Sequence, residues 1–251
     1  MKQMIAFDLD GTLAESKKPL DADMGHALGG LLDVTEVAII SGGDWPQFEK
    51  QVTRRIDNRA NLSRLWLMPT TGAKLYRFHE AAWREIYADI FHENARGTIL
   101  VAIRKAVEET QLKIGKTWGQ QIEDRGTQVT FSALGQEAPL DAKKAWDSDF
   151  TKRKALQTVL RKALPDVSVN IGGLTSIDIT RQGVDKGYGL HRLAQQSGFP
   201  LTGMLFVGDA IYPGGNDYPA HEAGVDTISV RDVAETRTVI SVITSWIGTT
   251  A

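Results

Sequence analysis

The 251-residue chain contains no cysteine. That absence excludes disulfides, thiolate metal sites and a thiol nucleophile, so any nucleophile has to be an oxygen or a nitrogen. It also fits a reducing, cytoplasmic compartment. Neither charge sign is in large excess: 29 Lys and Arg oppose 31 Asp and Glu, for a net charge of -2. A balance of this kind gives no broad electrostatic grip on nucleic acid or on an anionic membrane. Long hydrophobic runs are missing as well, none approaching the roughly 18 residues of a membrane span. The opening MKQMIAFDLDGTL meets acidic residues after a few apolar ones and does not read as a signal peptide. The histidines (His26, His79, His92, His191 and His221) show no metal-ligand spacing. Gly208, Gly214 and Gly215 do not form a dinucleotide-binding fingerprint.

What is present is an alternation of short apolar runs with helix-like segments. Met4 to Phe7, Glu36 to Ile40 and Leu65 to Met68 read as strands, with a helix capped by Asp21 between the first two. Asp44 reads as the N-cap of another helix, with Pro46 in its first turn. The same style returns at the end of the chain. A helix over Lys186 to Ser197 precedes a strand over Met204 to Val207, a short helix near Ala220, a strand over Val225 to Val230 and a closing helix. Strand alternating with helix predicts a parallel sheet with right-handed crossovers.

The middle is different. Helical periodicity over Ile99 to Ile114 is followed by a hairpin turned at Arg125-Gly126, and helical periodicity over Phe150 to Leu164 by a hairpin turned at Gly172-Gly173. The order αββαββ predicts one antiparallel sheet with its helices on one face. Residues 1–84 and 185–251 are therefore expected to form an α/β core, and 85–184 an inserted α+β domain.

The strongest chemical signal is Asp8-Leu9-Asp10-Gly11-Thr12-Leu13, directly after the first strand. Ligands of open parallel sheets bind beyond the carboxyl ends of strands. A carboxylate at Asp8 can attack phosphorus, and a second at Asp10 can protonate a leaving oxygen and later deprotonate the incoming nucleophile. Gly11 and Gly42 give the backbone room beside a ligand, and the hydroxyls of Thr12 and Ser41 can hold phosphoryl oxygens. Lys186 can neutralise phosphoryl charge. Asp209 and Asp217 follow another strand, and oxygen donors of this type suit Mg²⁺. Asp8, Asp10 and Asp209 would repel one another without a cation. The same residues, taken singly, would also serve as turns, helix caps or solvated surface.

Taken together, DLDGTL, Ser41, Lys186 and GDAIYPGGND resemble the four motifs of the haloacid dehalogenase superfamily, in that family's order. The resemblance implies a Rossmann-like parallel-sheet core, with residues 85–184 as an α+β cap of type IIB. It implies Mg²⁺ held by Asp8, Asp10 through its carbonyl, Asp209 and Asp217. Aspartate at position 10 resembles phosphatases and phosphomutases, which pass the phosphoryl group on. NIGGLTSIDITRQGVDKGYGL and FVGDAIYPGGNDYPA are further similar to eukaryotic-type α-phosphomannomutases. That similarity implies a cap that closes over the site, reads a sugar phosphate through Arg125, Lys143, Ser176 and Asp178, and forms a homodimer. Gln136, Lys143 and Lys17 stand where that family carries arginines.

The expected function is therefore Mg²⁺-dependent phosphotransfer from a sugar phosphate or similar small metabolite through an aspartyl-phosphate. Hydrolysis is the preferred outcome, because bidentate arginines are the groups suited to a second phosphate. Interconversion of hexose 1- and 6-phosphates is the alternative, and a non-catalytic sugar-phosphate-binding protein is the third reading.

Overall fold

The computed structural model describes residues 2–57 and 60–249. Contacts divide the chain into two compact units, one from Met1–Ala88 and Val184–Ala251, the other from Asp89–Gly183.

The first unit is built on a seven-stranded sheet. Along the chain it contains β1 (Met4–Phe7), α1 (Ala22–Val34), β2 (Glu36–Ile40), α2 (Trp45–Phe48), β3 (Leu65–Met68), β4 (Lys74–His79) and β5 (Ala82–Ala88). A π-helical turn, Glu49–Thr53, continues directly from α2. With β10 (Met204–Gly208) and β11 (Asp226–Ser229) from the end of the chain, the sheet order is β11-β10-β1-β2-β3-β4-β5. The first five of these strands run parallel, and β4 and β5 are added antiparallel at one edge.

The central strands are apolar throughout because both sheet faces are covered. Ile5, Phe7, Val37 and Ile39 pack with α1 and with the last helix of the chain, while Met4, Ala6, Ala38 and Ile40 pack with Leu190 and Leu193 on the opposite face. A domain boundary between residues 84 and 85 would cut β5, which pairs with β4 through Ala88. Six register pairs join β4 to β5, and Trp66 with Arg77 and Leu67 with Tyr76 join β4 to β3.

The second unit contains α3 (Glu93–Glu109), β6 (Ile122–Asp124), β7 (Gln128–Ser132), α4 (Leu140–Trp146), α5 (Thr151–Ala163), β8 (Val167–Gly172) and β9 (Ser176–Arg181). Its four-stranded antiparallel sheet has the order β6-β7-β9-β8. Period-2 alternation sorts the two faces. Val129, Phe131, Val169, Ile177 and Ile179 pack with Ile99, Ile103, Leu156 and Leu160 of α3 and α5. The other face carries Gln128, Thr130, Ser132, Ser176 and Asp178 in register across β7 and β9. The expected helix over 99–114 in fact begins at Glu93, with a polar first turn, and stops at Glu109; Gln111 then takes φ 48°. Helix α4 has no counterpart in the sequence reading.

A buried ion pair anchors the start of α5. The Arg153 guanidinium donates to Asp147 Oδ2 at 2.8 Å, to the Asp147 carbonyl at 3.1 Å and to the Gly173 carbonyl at 2.6 Å. The same carboxylate accepts the backbone N–H groups of Lys152 and Arg153 at 2.9 and 3.1 Å, and so caps the helix. Burial alone would raise the Asp147 pKa, but these donors outweigh it and hold the carboxyl below its usual range. Such a group adds stability above its unfolded pKa near 3.8 and loses it as pH falls through the folded value. Arg153→Met is accordingly expected to cost about 3–5 kcal/mol at pH 7, by stranding a buried carboxylate. Urea titrations at pH 7 and pH 3 check this, the difference from the native chain shrinking at the lower pH.

The chain then returns to the first unit with α6 (Lys186–Ser197), β10 (Met204–Gly208), α7 (Tyr218–Glu222), β11 (Asp226–Ser229) and α8 (Val233–Gly248). No helix among the described residues is long and apolar enough to cross a membrane.

Candidate active site

In the sheet β1 lies between β10 and β2, with Phe7 paired to both Val207 and Ile39. The next residues along the three parallel strands are Asp8 after β1, Ser41 after β2 and Asp209 after β10. Three separate motifs thus meet at one sheet edge, at the carboxyl ends of the strands. Lys186 arrives from α6, whose N-cap Asp185 accepts the Tyr188 N–H at 2.8 Å. A cation in the first turn of a helix opposes the helix dipole. Here two carboxylates offset that cost: the Lys186 ammonium donates to both Asp8 and Asp217, and all three side chains are buried.

One carboxylate oxygen from each of Asp8, Asp209 and Asp217 lies within 4.8 Å of the other two. Burial, followed by the charge of Asp217, pushes the Asp8 carboxyl up to about 7 despite Lys186. Burial and Asp217 also raise Asp209. Burial pulls the Lys186 ammonium down, but its two carboxylates more than offset this, and the net shift is upward. One ammonium therefore does not neutralise three crowded carboxylates. The donor set is all oxygen and the local charge is in deficit, which fits a hard divalent cation such as Mg²⁺.

Close approach explains two glycines. A Cβ at Gly11, where φ is +99°, would stand 2.5 Å from Asp209 Oδ2. A Cβ at Gly208 would fall on the Asp217 carboxylate. Asp217 occupies the N-cap position of α7 but makes no side-chain cap; its second oxygen accepts the Ala210 N–H at 3.0 Å. Asp44 differs from expectation in the same way. It precedes α2 without capping it, because Lys74 takes its carboxylate at 2.7 Å.

The Thr12 hydroxyl is buried and directed at Asp209 Oδ1, at 3.4 Å. Ser41 Oγ accepts the Gly43 N–H at 3.3 Å, while Gly42 is exposed. A loop absent from the sequence reading backs this turn: Thr71 and Thr70 donate their N–H groups to the carbonyls of Ser41 and Gly43, each at 2.8 Å. Thr70 and Thr71 have φ of 49° and 59°, values costly for β-branched residues. Strain of this kind at the back of a site is consistent with a shape held for function.

Asp10 does not join the carboxylate cluster. Its Oδ1 accepts the Lys17 backbone N–H at 2.6 Å and Gln51 Nε2 at 3.1 Å, and its Oδ2 accepts Gln47 Nε2 at 2.9 Å. The Asp10 side chain is thus turned to these donors and not to the three carboxylates. Lys17 contributes through its main chain, in a left-handed conformation with φ 60°. Gln47 and Gln51 escaped the sequence reading. Their signal was an i, i+4 pair in the helix that follows Ser-Gly-Gly-Asp.

In the second unit, Ser176 and Asp178 share one face of β9. Ser176 Oγ and Ser132 Oγ are 2.7 Å apart. Asp178 Oδ1 accepts from Thr130 at 2.7 Å and from Gln128 at 3.0 Å. The Arg125 guanidinium reaches Glu123 at 2.8 Å. Lys143 donates to the Gln136 carbonyl at 3.0 Å, and the Gln136 amide donates to Ser132 Oγ at 3.1 Å.

Parallel core, antiparallel cap and carboxylate–lysine cluster together define an enzyme of the haloacid dehalogenase type, a phosphatase or mutase. Within that superfamily the chain belongs to the eukaryotic phosphomannomutase family, whose sequence model matches residues 24–244. The match begins beyond Asp8–Leu13, so that motif stands on its own residues. Phosphomannomutase of Encephalitozoon cuniculi (strain GB-M1) is 25% identical over 241 residues, covering 94% of this chain and 91% of that one. Phosphomannomutase of Schizosaccharomyces pombe is 26% identical over 223 residues, covering 86% and 84%. Among solved structures, C-terminally truncated IMP-nucleotidase of Plasmodium falciparum superposes with a TM-score of 0.72 at 16% identity, over 97% of this chain and 71% of that one. Trehalose-6-phosphate phosphatase of Aspergillus fumigatus gives 0.59 at 17%, over 97% and 93%. At these identities the solved structures establish the fold.

Proposed function

We propose that the chain hydrolyses the phosphate ester of a sugar phosphate or similar small metabolite through an aspartyl-phosphate on Asp8. The buried contact of Lys186 with Asp8 and Asp217 carries this reading. Asp8 Oδ attacks phosphorus while the ester P–O bond breaks, and Asp10 gives its proton to the departing oxygen. Water then attacks the aspartyl-phosphate, Asp10 takes its proton, and the bond to Asp8 breaks to release phosphate. Thr12, Ser41 and Lys186 hold the phosphoryl oxygens, with Gly11 and Gly42 leaving room beside them. Asp8, Asp209 and Asp217, with the Asp10 carbonyl, are the groups for Mg²⁺, which would supply charge neutralisation of the phosphoryl group. Arg125, Lys143, Ser176 and Asp178 are assigned to recognition of the rest of the substrate.

Hydrolysis is preferred to isomerisation for a stated reason. A mutase has to retain a bisphosphate and therefore needs a second strong anion grip. Gln136 carries no charge, and Lys143 is engaged with the Gln136 carbonyl. The polar face of β7 and β9 offers hydroxyls, an amide and the Asp178 carboxylate. Family membership favours the second reading, phosphohexomutase, since the relatives named above are phosphomannomutases.

One experiment separates the two. The Mg²⁺-loaded protein is incubated with mannose and glucose 1- and 6-phosphates, with and without a hexose bisphosphate, and free phosphate and isomer are followed together. Phosphate release independent of bisphosphate is expected. Bisphosphate-stimulated isomerisation would establish the mutase instead, and binding without any turnover would leave a non-catalytic protein.

A further inference from the structure

Three N–H groups converge on the two oxygens of Asp10, from Lys17, Gln47 and Gln51. We propose that Gln47 and Gln51 are positioning residues for Asp10, an amide clamp that holds its carboxyl in one orientation for proton transfer. The proposal rests on Asp10 being the general acid and base, as argued above.

The orientation of Gln51 is forced by chemistry. Its Nε2 donates to Asp10 Oδ1 at 3.1 Å and to the Lys18 carbonyl at 2.7 Å. The Lys18 carbonyl is an acceptor only, so turning the amide over would set oxygen against oxygen there. Its own Oε1 is left buried with no hydrogen-bond partner among the described residues. An orphaned buried acceptor is destabilising, because it has given up water and gained nothing in return. A packing residue has no use for that arrangement; apolar side chains would fill the space without the penalty. The cost is accounted for if both N–H groups are needed where they are.

The backbone around the clamp is arranged to suit it. Gln51 lies in the π-helical turn Glu49–Thr53, and such turns are frequent at functional sites. Gln47, four residues earlier, presents its amide to the other Asp10 oxygen, and a Cβ on Gly43 would collide with that amide. Gln51 also accepts the Leu20 N–H at its own carbonyl, at 2.9 Å, so the loop carrying Lys17 and Lys18 is tied to the same turn. Asp10 is thereby fixed from its own loop and from the element after β2.

The step at issue is transfer of the Asp10 proton to the ester oxygen as the P–O bond breaks, the bonding pair staying on that oxygen. A sugar alkoxide needs the proton, whereas p-nitrophenolate leaves without it. The ratio of kcat/KM for the best sugar phosphate of the panel to kcat/KM for p-nitrophenyl phosphate therefore reports on the acid, because kcat/KM covers the steps up to release of the alcohol. Asp10→Ala is expected to lower this ratio by about 10²-fold or more. Gln47→Leu and Gln51→Leu should each lower it by roughly 10-fold, in line with the cost of misplacing a catalytic group. Gln47→Glu, of the same size but with a charge facing Asp10, should lower it at least as far. Adding Gln47→Leu to Asp10→Ala should leave the ratio where Asp10→Ala put it. Because Gln51 is buried, Gln47→Leu carries the test if the Gln51 variant does not fold. Equal losses on both substrates, with the ratio still dependent on Asp10, would overturn the clamp. A ratio indifferent to Asp10→Ala would remove the general acid itself, and the clamp with it.

Discussion

Asp8→Asn is expected to lower turnover by on the order of 10⁴-fold or more, since it removes the nucleophile and leaves an amide that cannot form the covalent intermediate. The fold should persist. Asparagine matches aspartate in shape, and Lys186 keeps its contact with Asp217. The pH dependence of stability should nonetheless change. Burial, then the neighbouring Asp217, raises the folded Asp8 pKa from 3.8 to about 7. Between those values the folded chain holds a proton that the unfolded chain has released, so stability declines as pH rises through the window. Its contribution is complete below about pH 3.8 and gone above about pH 7. Asparagine does not titrate. In EDTA, thermal midpoints of Asp8→Asn and the native chain should therefore move in favour of the variant from pH 5 to pH 8. Adding Mg²⁺ at pH 8 should raise the native midpoint more than that of the variant, because ligand binding to the folded state stabilises it. Undiminished turnover in Asp8→Asn would sink the proposed function.

How much of this was legible in the sequence depends on how local the cause is. The buried strands could be read because Met4–Phe7, Glu36–Ile40 and Met204–Gly208 are short apolar runs, each followed by a polar turn. The αββαββ order of the insert could be read from the period-2 alternation that puts Ser176 and Asp178 on one face. The β4–β5 hairpin was hidden because its turn carries no Asn-Gly or Asp-Gly. Glu80 and Ala81 take φ of 50° and 59° there, which neither residue favours. The site motifs were legible as residues and less so as partners. Asp217 reads from sequence as a metal ligand or, equally, as a cap, and nothing local shows that it bonds a lysine 31 positions away. Gln47 and Gln51 read as ordinary polar residues until the fold brings Asp10 to them across 37 and 41 positions. Long-range convergence of this kind leaves at most an i, i+4 spacing, which names no partner.

Lys186→Met tests the electrostatic centre of the same arrangement. Methionine has comparable length and suits the buried space, but it leaves Asp8 and Asp217 facing each other without the ammonium between them. Breaking a buried ion pair from one side typically costs about 3–5 kcal/mol, and a loss of that size is expected in EDTA at pH 8. The sign with pH follows from Asp8. Lys186 is the chief neighbour lowering its pKa, so the substitution lifts the carboxyl above about 7 and deepens the decline in stability with rising pH. At pH 5 protonation relieves part of the repulsion, and the loss should be smaller than at pH 8. Turnover should fall as well, because the charge next to the attacked phosphoryl group is gone. A double-mutant cycle separates the two causes. If the penalty comes from the stranded Asp8 charge, Asp8→Asn combined with Lys186→Met will be more stable at pH 8 than the sum of the single losses predicts. Strict additivity, or a loss that is the same at both pH values, would show that Lys186 stabilises the fold by packing and not by holding two carboxylates together.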